Sequence, residues 1–116
     1  MKKFESLKKN RDFQFVYRKG RSRVNRSFVM IVKENDLSFN RYGISVSKKV
    51  GNSVVRHRIT RVVREVIRLH QQDVLPGHDI VIIARSQVSG CHYSDCERDV
   101  LHLLKLHHLF KEEAHI

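Results

Sequence analysis

Between Lys48 and Arg68 runs KKVGNSVVRHRITRVVREVIR, in which seven residues are Lys or Arg and one, Glu65, is acidic. Cations at this density suit one chemistry above others, the neutralisation of phosphate. On a helical wheel at about 100° per residue, Val55, Ile59, Val62, Val66 and Leu69 form one stripe. His57, Arg61, Arg64 and Arg68 fall nearly opposite, with Arg56 and Arg58 on the flanks. One face is made for a core and the other for a polyanion. A merely solvated helix face mixes charge signs at i,i+4 to gain support. Here Arg61, Arg64 and Arg68 follow one another at i,i+3 and i,i+4 with Glu65 alone among them. Their repulsion weakens an isolated helix, and a bound polyanion offsets it.

A second set of residues has a different chemistry. Phe13 and Tyr17 are i,i+4 neighbours with Arg11, Arg18 and Lys19 around them and Lys8 and Lys9 just upstream. Aromatics beside cations can stack single-stranded bases. They can equally be the buried face of a short helix, and composition alone favours that reading. Val16 and Leu7 could supply the buried face instead and leave the pair free. Metal chemistry has less behind it. Cys91, Cys96 and His92, with His102, His107 and His108 beyond, fit no closed zinc spacing. Cys96 reads better as a small hydrophobe beneath the last helix. Eight histidines invite a nuclease, but the acids are scattered and no Asp/Glu pair lies beside the basic helix. A catalytic constellation is missing, so no catalytic residue is assigned.

These residues must be positioned by a small frame. The 116 residues carry 23 Lys+Arg against 12 Asp+Glu, a net charge of +11. That balance points to nucleic acid or an anionic membrane. The longest apolar runs, Phe28 to Val32 and Ile80 to Ala84, are far too short for a span, and MKKFESLKKN has no apolar core of a secretory signal. A cytoplasmic protein of one domain, residues 1–116, is expected. Asn10 is a candidate cap for a helix over Arg11 to Lys19, stopped by Gly20. Ser27 to Lys33 and Tyr42 to Lys49 read as strands, paired antiparallel with each other. Gly51-Asn52-Ser53 opens the basic helix, which runs to about Gln72. Pro76-Gly77 is a turn and Asp79 to Arg85 a buried strand. Ser94-Asp95-Cys96-Glu97 reads as a capping box before a helix whose stripe is Cys96, Val100, Leu103, Leu104, His107 and Phe110. The order α-β-β-α-β-α implies an α+β fold, a single-domain α/β sandwich with helices against one small sheet.

LKKNRDFQFVYRKG (Leu7 to Gly20), GISVSKKVGNSVVRHRITRVVRE (Gly43 to Glu65) and DIVIIAR (Asp79 to Arg85) together resemble the bacterial ribonuclease P protein subunit, the middle block most specifically. The resemblance implies a fold shared with domains of certain ribosomal proteins and elongation factors, with a left-handed strand–helix–strand crossover. It implies a catalytic RNA as partner and precursor tRNA as substrate, with the Mg²⁺ ions held by the RNA and not by this chain. It places Phe13, Tyr17, Ile31, Lys48 and Arg85 along the single-stranded 5′ leader. Lys49, Asn52, Arg56, His57, Arg58, Arg61, Arg64 and Arg68 fall in the block facing the catalytic RNA. Three positions depart from the family pattern: His57 replaces the central Asn of its basic motif, Thr60 a frequent Lys, and Ile31 a position that can be aromatic. A ribosomal-protein-like structural role, without tRNA processing, would present the same phosphate-binding face.

Overall fold

The computed structural model describes residues 5–88 and 92–111. Its elements are α1 (Asn10–Lys19), β1 (Arg21–Val24), β2 (Phe28–Glu34), β3 (Arg41–Ser45), α2 (Ser53–His70), β4 (His78–Ala84) and α3 (Tyr93–Leu106). Short 3-10 turns follow α2 at Gln71–Asp73 and β4 at Ser86–Val88. The α+β sandwich is as expected, with one more strand than the sequence suggested. That strand, β1, is RSRV, exposed along its whole length at the edge of the sheet. It has no alternation of apolar residues to announce it.

The sheet order is β1-β2-β4-β3. The expected pairing of the second and third strands is therefore wrong: β4 lies between them, antiparallel to β2 and parallel to β3. The physical reason is the continuous apolar run of β4. Ile80, Ile82 and Ala84 point to one face and Val81 and Ile83 to the other, so the strand needs cover on both faces and pairing on both edges. β3 also ends earlier than expected, at Ser45, and Ser47–Val50 is a turn that presents Lys48 and Lys49 to solvent.

One face of the sheet carries the larger core. Phe28, Met30 and Val32 of β2 and Ile80, Ile82 and Ala84 of β4 meet Ile59, Val63, Val66 and Ile67 of α2. Cys96, Val100, Leu103 and Leu104 of α3 complete it, so Cys96 packs as a hydrophobe; Cys91 lies outside the described residues. The apolar stripe of α2 is turned from the one expected. Val63 and Ile67 are buried while Leu69 is 49% exposed. This helix packs against α3 as well as against β3, and the wedge between two neighbours is wider than one stripe. The end signals also differ. Lys9, not Asn10, is the N-cap of α1, and the residue before α3 is His92, with no side-chain cap. The expected capping box does not form.

On the opposite face the smaller cluster is Leu7, Val16 and Val81, with Phe13, Ile31 and Ile83 packed on it. Its geometry fixes how α1 lies. Gly43, Val81 and Ile31 form one row across three strands. Near the start of α1, the Phe13 ring sits so close to Gly43 that a Cβ there would come within 2.4 Å of it. At the other end, Gly20 would place a Cβ 2.7 Å from Ile31 Cγ2. The helix therefore crosses the strands along this row, and two small glycines permit the close approach at its ends.

His107 is a polar member of the core. Its Nε2 donates to the carbonyl of Met30 at 3.0 Å. Burial first, and then the charges of Arg21, Arg23 and His108, hold its pKa below the ordinary 6.5, against the opposing pull of the Met30 bond. A histidine with a depressed folded pKa stabilises the fold above its unfolded pKa. That contribution is lost as pH falls from about 6.5 towards the folded value, because the unfolded chain takes up the proton first. Thermal melts between pH 7.5 and 5 should therefore show a falling Tm for the natural chain and a flatter profile for His107→Gln; equal slopes would show that this imidazole does not titrate in the fold.

Candidate RNA interface

The open row beside α1 is the first part of the interface. Side chains one row along from Gly43, Val81 and Ile31, on the same face, are Ser45, Ile83, Val29 and Val24. Ser45, Ile83 and Val29 are partly exposed and Val24 is 53% exposed. A ten-residue helix lying across the strands covers one row and leaves this one as the floor of a cleft. Asp12 and Phe15 mark the other flank of α1: Asp12 pairs with Arg41 at 3.7 Å, and Lys33 Nζ lies 5.8 Å over the Phe15 ring. Phe13 and Tyr17, on the remaining flank, border the open row. Their rings are 6.4 Å apart and tilted by 52°.

The two aromatics differ in setting. Phe13 is half-buried, its ring against Gly43 and the small cluster, whereas Tyr17 is 38% exposed. Lys48 lies on the turn just beyond Ser45, and Arg85 directly follows β4, so both stand at the end of the sheet where the open row lies. Arg85 is also a structural group: its Nη1 donates to the Asn25 carbonyl at 2.8 Å. Ile31 is under α1, beside Gly20, and props the helix rather than bordering the open row. Sequence reasoning missed Val29, Ile83, Val24 and Ser45. Their place depends on a strand order that no local signal carries.

The second part is the outer face of α2. His57, Arg61 and Arg64 are exposed, and Arg56, Arg58 and Arg68 are half-exposed. Asn52 is the N-cap, its Oδ1 accepting from the Val55 amide at 3.0 Å, so it starts the helix as well as facing the basic block. Thr60 Oγ1 donates back to the Arg56 carbonyl, and Arg56 Nε to that of Gly51. Arg68 is tied to Glu65 by a bidentate pair at 3.0 and 2.6 Å. Its hydrogen bond to Arg68 holds the Glu65 pKa low, so this acid stays ionised.

The two parts meet along the free edge of β3. A groove of about 170 Å³ there is walled by Leu7 and Phe13 on one side and by Thr60 and Arg64 on the other. Arg64 thus links the helix face to Phe13. Residues 5–7 close the rest of this edge, with the Tyr42 amide donating to the Glu5 carbonyl and the Leu7 amide to that of Tyr42. Among the described residues, no three His, Cys, Asp or Glu side chains gather where they could hold a metal, and no helix is long and apolar enough to cross a membrane.

The ribonuclease P family model matches residues 1–108. The chain belongs to the ribonuclease P protein family. It is 53% identical over 103 residues to the ribonuclease P protein component of Lachnoclostridium phytofermentans, covering 89% of each chain. The Staphylococcus aureus RNase P protein superposes with a TM-score of 0.87 at 39% identity, over 94% of this chain and 100% of that one. A staphylococcal RNase P protein mutant with defective mRNA degradation activity superposes at 0.86 and 40% identity, over 90% and 89% of the two chains.

The Glu65–Arg68 pair gives the α2 face a measurable signature. Arg61→Ala and Arg64→Ala should each reduce the log–log salt slope of RNA binding by roughly 0.7 to 0.9. Glu65→Gln should do the reverse, since it removes the one acid on this face and releases Arg68. Filter binding across a salt series separates them; three variants with the natural slope would put the RNA elsewhere.

Proposed function

We propose that this chain is the protein subunit of ribonuclease P. In that role it joins a catalytic RNA through the outer face of α2 and holds the single-stranded 5′ leader of precursor tRNA in the cleft beside α1. The RNA carries the chemistry and its Mg²⁺ ions, and the complex works in the cytoplasm to release mature tRNA 5′ ends. Family membership supports the assembly. The observation that carries the division of labour is the adjacency of two unlike surfaces, an arginine face suited to duplex phosphates and a cleft with exposed aromatic and aliphatic side chains suited to unpaired bases.

Each residue has a defined part in this reading. Tyr17 and Phe13 stack leader bases, and Val29 and Ile83 give the bases an apolar floor. Lys48 and Arg85 hold leader phosphates at the end of the cleft. Arg56, Arg58, Arg61, Arg64 and Arg68, with Lys49, Asn52 and His57, offset phosphate repulsion in the RNA that Mg²⁺ would otherwise screen. The protein therefore lowers the Mg²⁺ concentration at which the RNA is active.

Cleavage of precursor tRNA by a bacterial ribonuclease P RNA, with and without this chain at near-physiological Mg²⁺, is the direct test. The complex should cleave, and the protein alone should leave precursor tRNA intact. Tyr17→Ala should weaken precursor binding by ~1–3 kcal/mol per lost stack and leave mature tRNA unaffected. Gly43→Ala should act in the same direction by pushing the Phe13 ring aside. Equal losses for precursor and mature tRNA would remove the leader from this cleft. An unchanged Mg²⁺ requirement would leave the structural RNA-binding role as the better reading.

A further inference from the structure

The turn between β1 and β2 contains an asparagine whose side chain is fully occupied. Asn25 Oδ1 accepts from the amides of Ser27 at 3.1 Å and Phe28 at 3.0 Å. Its Nδ2 donates to the Asp99 carbonyl of α3 at 2.8 Å and lies 3.2 Å from His102 Nδ1. An amide group has two acceptor positions and two donor hydrogens, so nothing is left with which to read a base or a phosphate. The first pair of bonds closes the turn. The second pair fastens it to α3, which a turn does not need for its own closure.

The backbone of the same residue serves a different partner. Its carbonyl accepts from Arg85 Nη1 at 2.8 Å. The ladder between β2 and β4 runs one step past Phe28 and Ala84, since the Arg85 amide donates to the Ser27 carbonyl at 2.8 Å. Alternation from Ile83 then puts the Arg85 side chain on the α1 face, just beyond the open row of Val24, Val29 and Ile83. The bond to Asn25 draws the guanidinium past β2 towards β1. Among the described residues Arg85 has no ion pair and no other side-chain hydrogen bond, so the rest of its N–H donors remain for a ligand.

We propose that Asn25 is a positioning residue for leader binding that acts through Arg85. Helix α3 holds the Asn25 side chain, and the Asn25 carbonyl holds the guanidinium at the end of the cleft. A free arginine loses rotamer freedom when it meets a phosphate, and one already held loses less. Asn25 thus sets Arg85 in place before the leader arrives. This role rests on the cleft being the path of the leader.

The test uses the full chain assembled with a bacterial ribonuclease P RNA, and reads the preference for precursor over mature tRNA as a ratio of Kd values. Arg85→Ala should lower that preference about tenfold, the loss of one charge-assisted contact. Asn25→Ala should lower it at least about threefold by the same route. Asn25→Ala added to Arg85→Ala should lower it no further, because Asn25 then has nothing left to place. Asn25→Ser keeps a side-chain oxygen to close the turn and loses the tie to α3, so it should act like Asn25→Ala while keeping the fold. Ser27→Ala is the control for a merely weakened turn: it removes a hydroxyl from Asp99 and leaves the bonds of the Asn25 amide in place. It should lower Tm and keep the preference. Equal losses for both tRNAs in the Asn25 variants, additive losses in the double variant, or as large a fall in Ser27→Ala would overturn the proposal. A loss in Arg85→Ala with none in either Asn25 variant would remove the positioning role alone. An unchanged preference in Arg85→Ala would take the leader away from Arg85, and the role of Asn25 with it.

Discussion

Everything about this surface follows from β4 being apolar on both faces. A strand of that kind must sit inside a sheet and be roofed twice. Two long helices, α2 and α3, roof one side completely. The other side has only the ten residues of α1, laid across the strands. Ten residues at about 1.5 Å each span three or four strands but are only one helix wide. The uncovered row of Val29, Ile83 and Ser45 is thus a necessary remainder of the fold. The cleft exists because the second roof is too narrow, and its floor is apolar because β4 had to be.

Charge is arranged by a similar economy. Acids are spent where a cation must be buried or fixed. Asp79 holds Arg41 by two bonds of 2.8 and 2.7 Å, and that bond is the first cause of the raised Arg41 pKa. Asp99 accepts from Ser27 and Arg98 beneath the 25–28 turn. The other cations of the described residues lie outside, on α2, around α1 and at the far end of the sheet. The positive charge of the described residues is therefore almost wholly a surface property. Partner phosphates can meet it without any desolvated ion pair being broken.

The helix faces and the central strand were legible because both are periodic and need no partner to be recognised. α2 shows how far that goes: its two faces were readable, but the buried sector is turned towards α3, since one-dimensional periodicity cannot tell how many neighbours a helix has. β1 was illegible because an edge strand exposed throughout has no buried face to write into the sequence. Strand order failed for a further reason. Sequential strands are usually neighbours, but here the crossover through α2 brings β4 between β2 and β3. The basic half of the site was readable from one helix, and the aromatic pair from i,i+4 spacing. Val29 and Ile83 were not, since they become neighbours only when β4 joins β2. Ile31 went the other way: the family pattern put it in the cleft, and the row it shares with Val81 puts it under the helix.

Of the two aromatics, Phe13 belongs to the small core and still borders the open row, and the reason is geometric. At i and i+4 on a helix that crosses a sheet edge, the first ring meets the strand while the second has moved one turn along. Phe13 reaches Gly43, where the missing Cβ makes room for it, and so anchors the start of α1 to β3. Tyr17, one turn along, stays partly in solvent. An anchored ring is a better stacking surface than a mobile one, because its orientation is fixed before a base arrives and little side-chain entropy remains to be lost. Phe13 can therefore serve the core and the cleft at once, with Gly43 setting its angle. The glycine on β3 thus shapes the candidate site through the Phe13 ring, and it was hidden in the sequence because what matters there is a missing side chain.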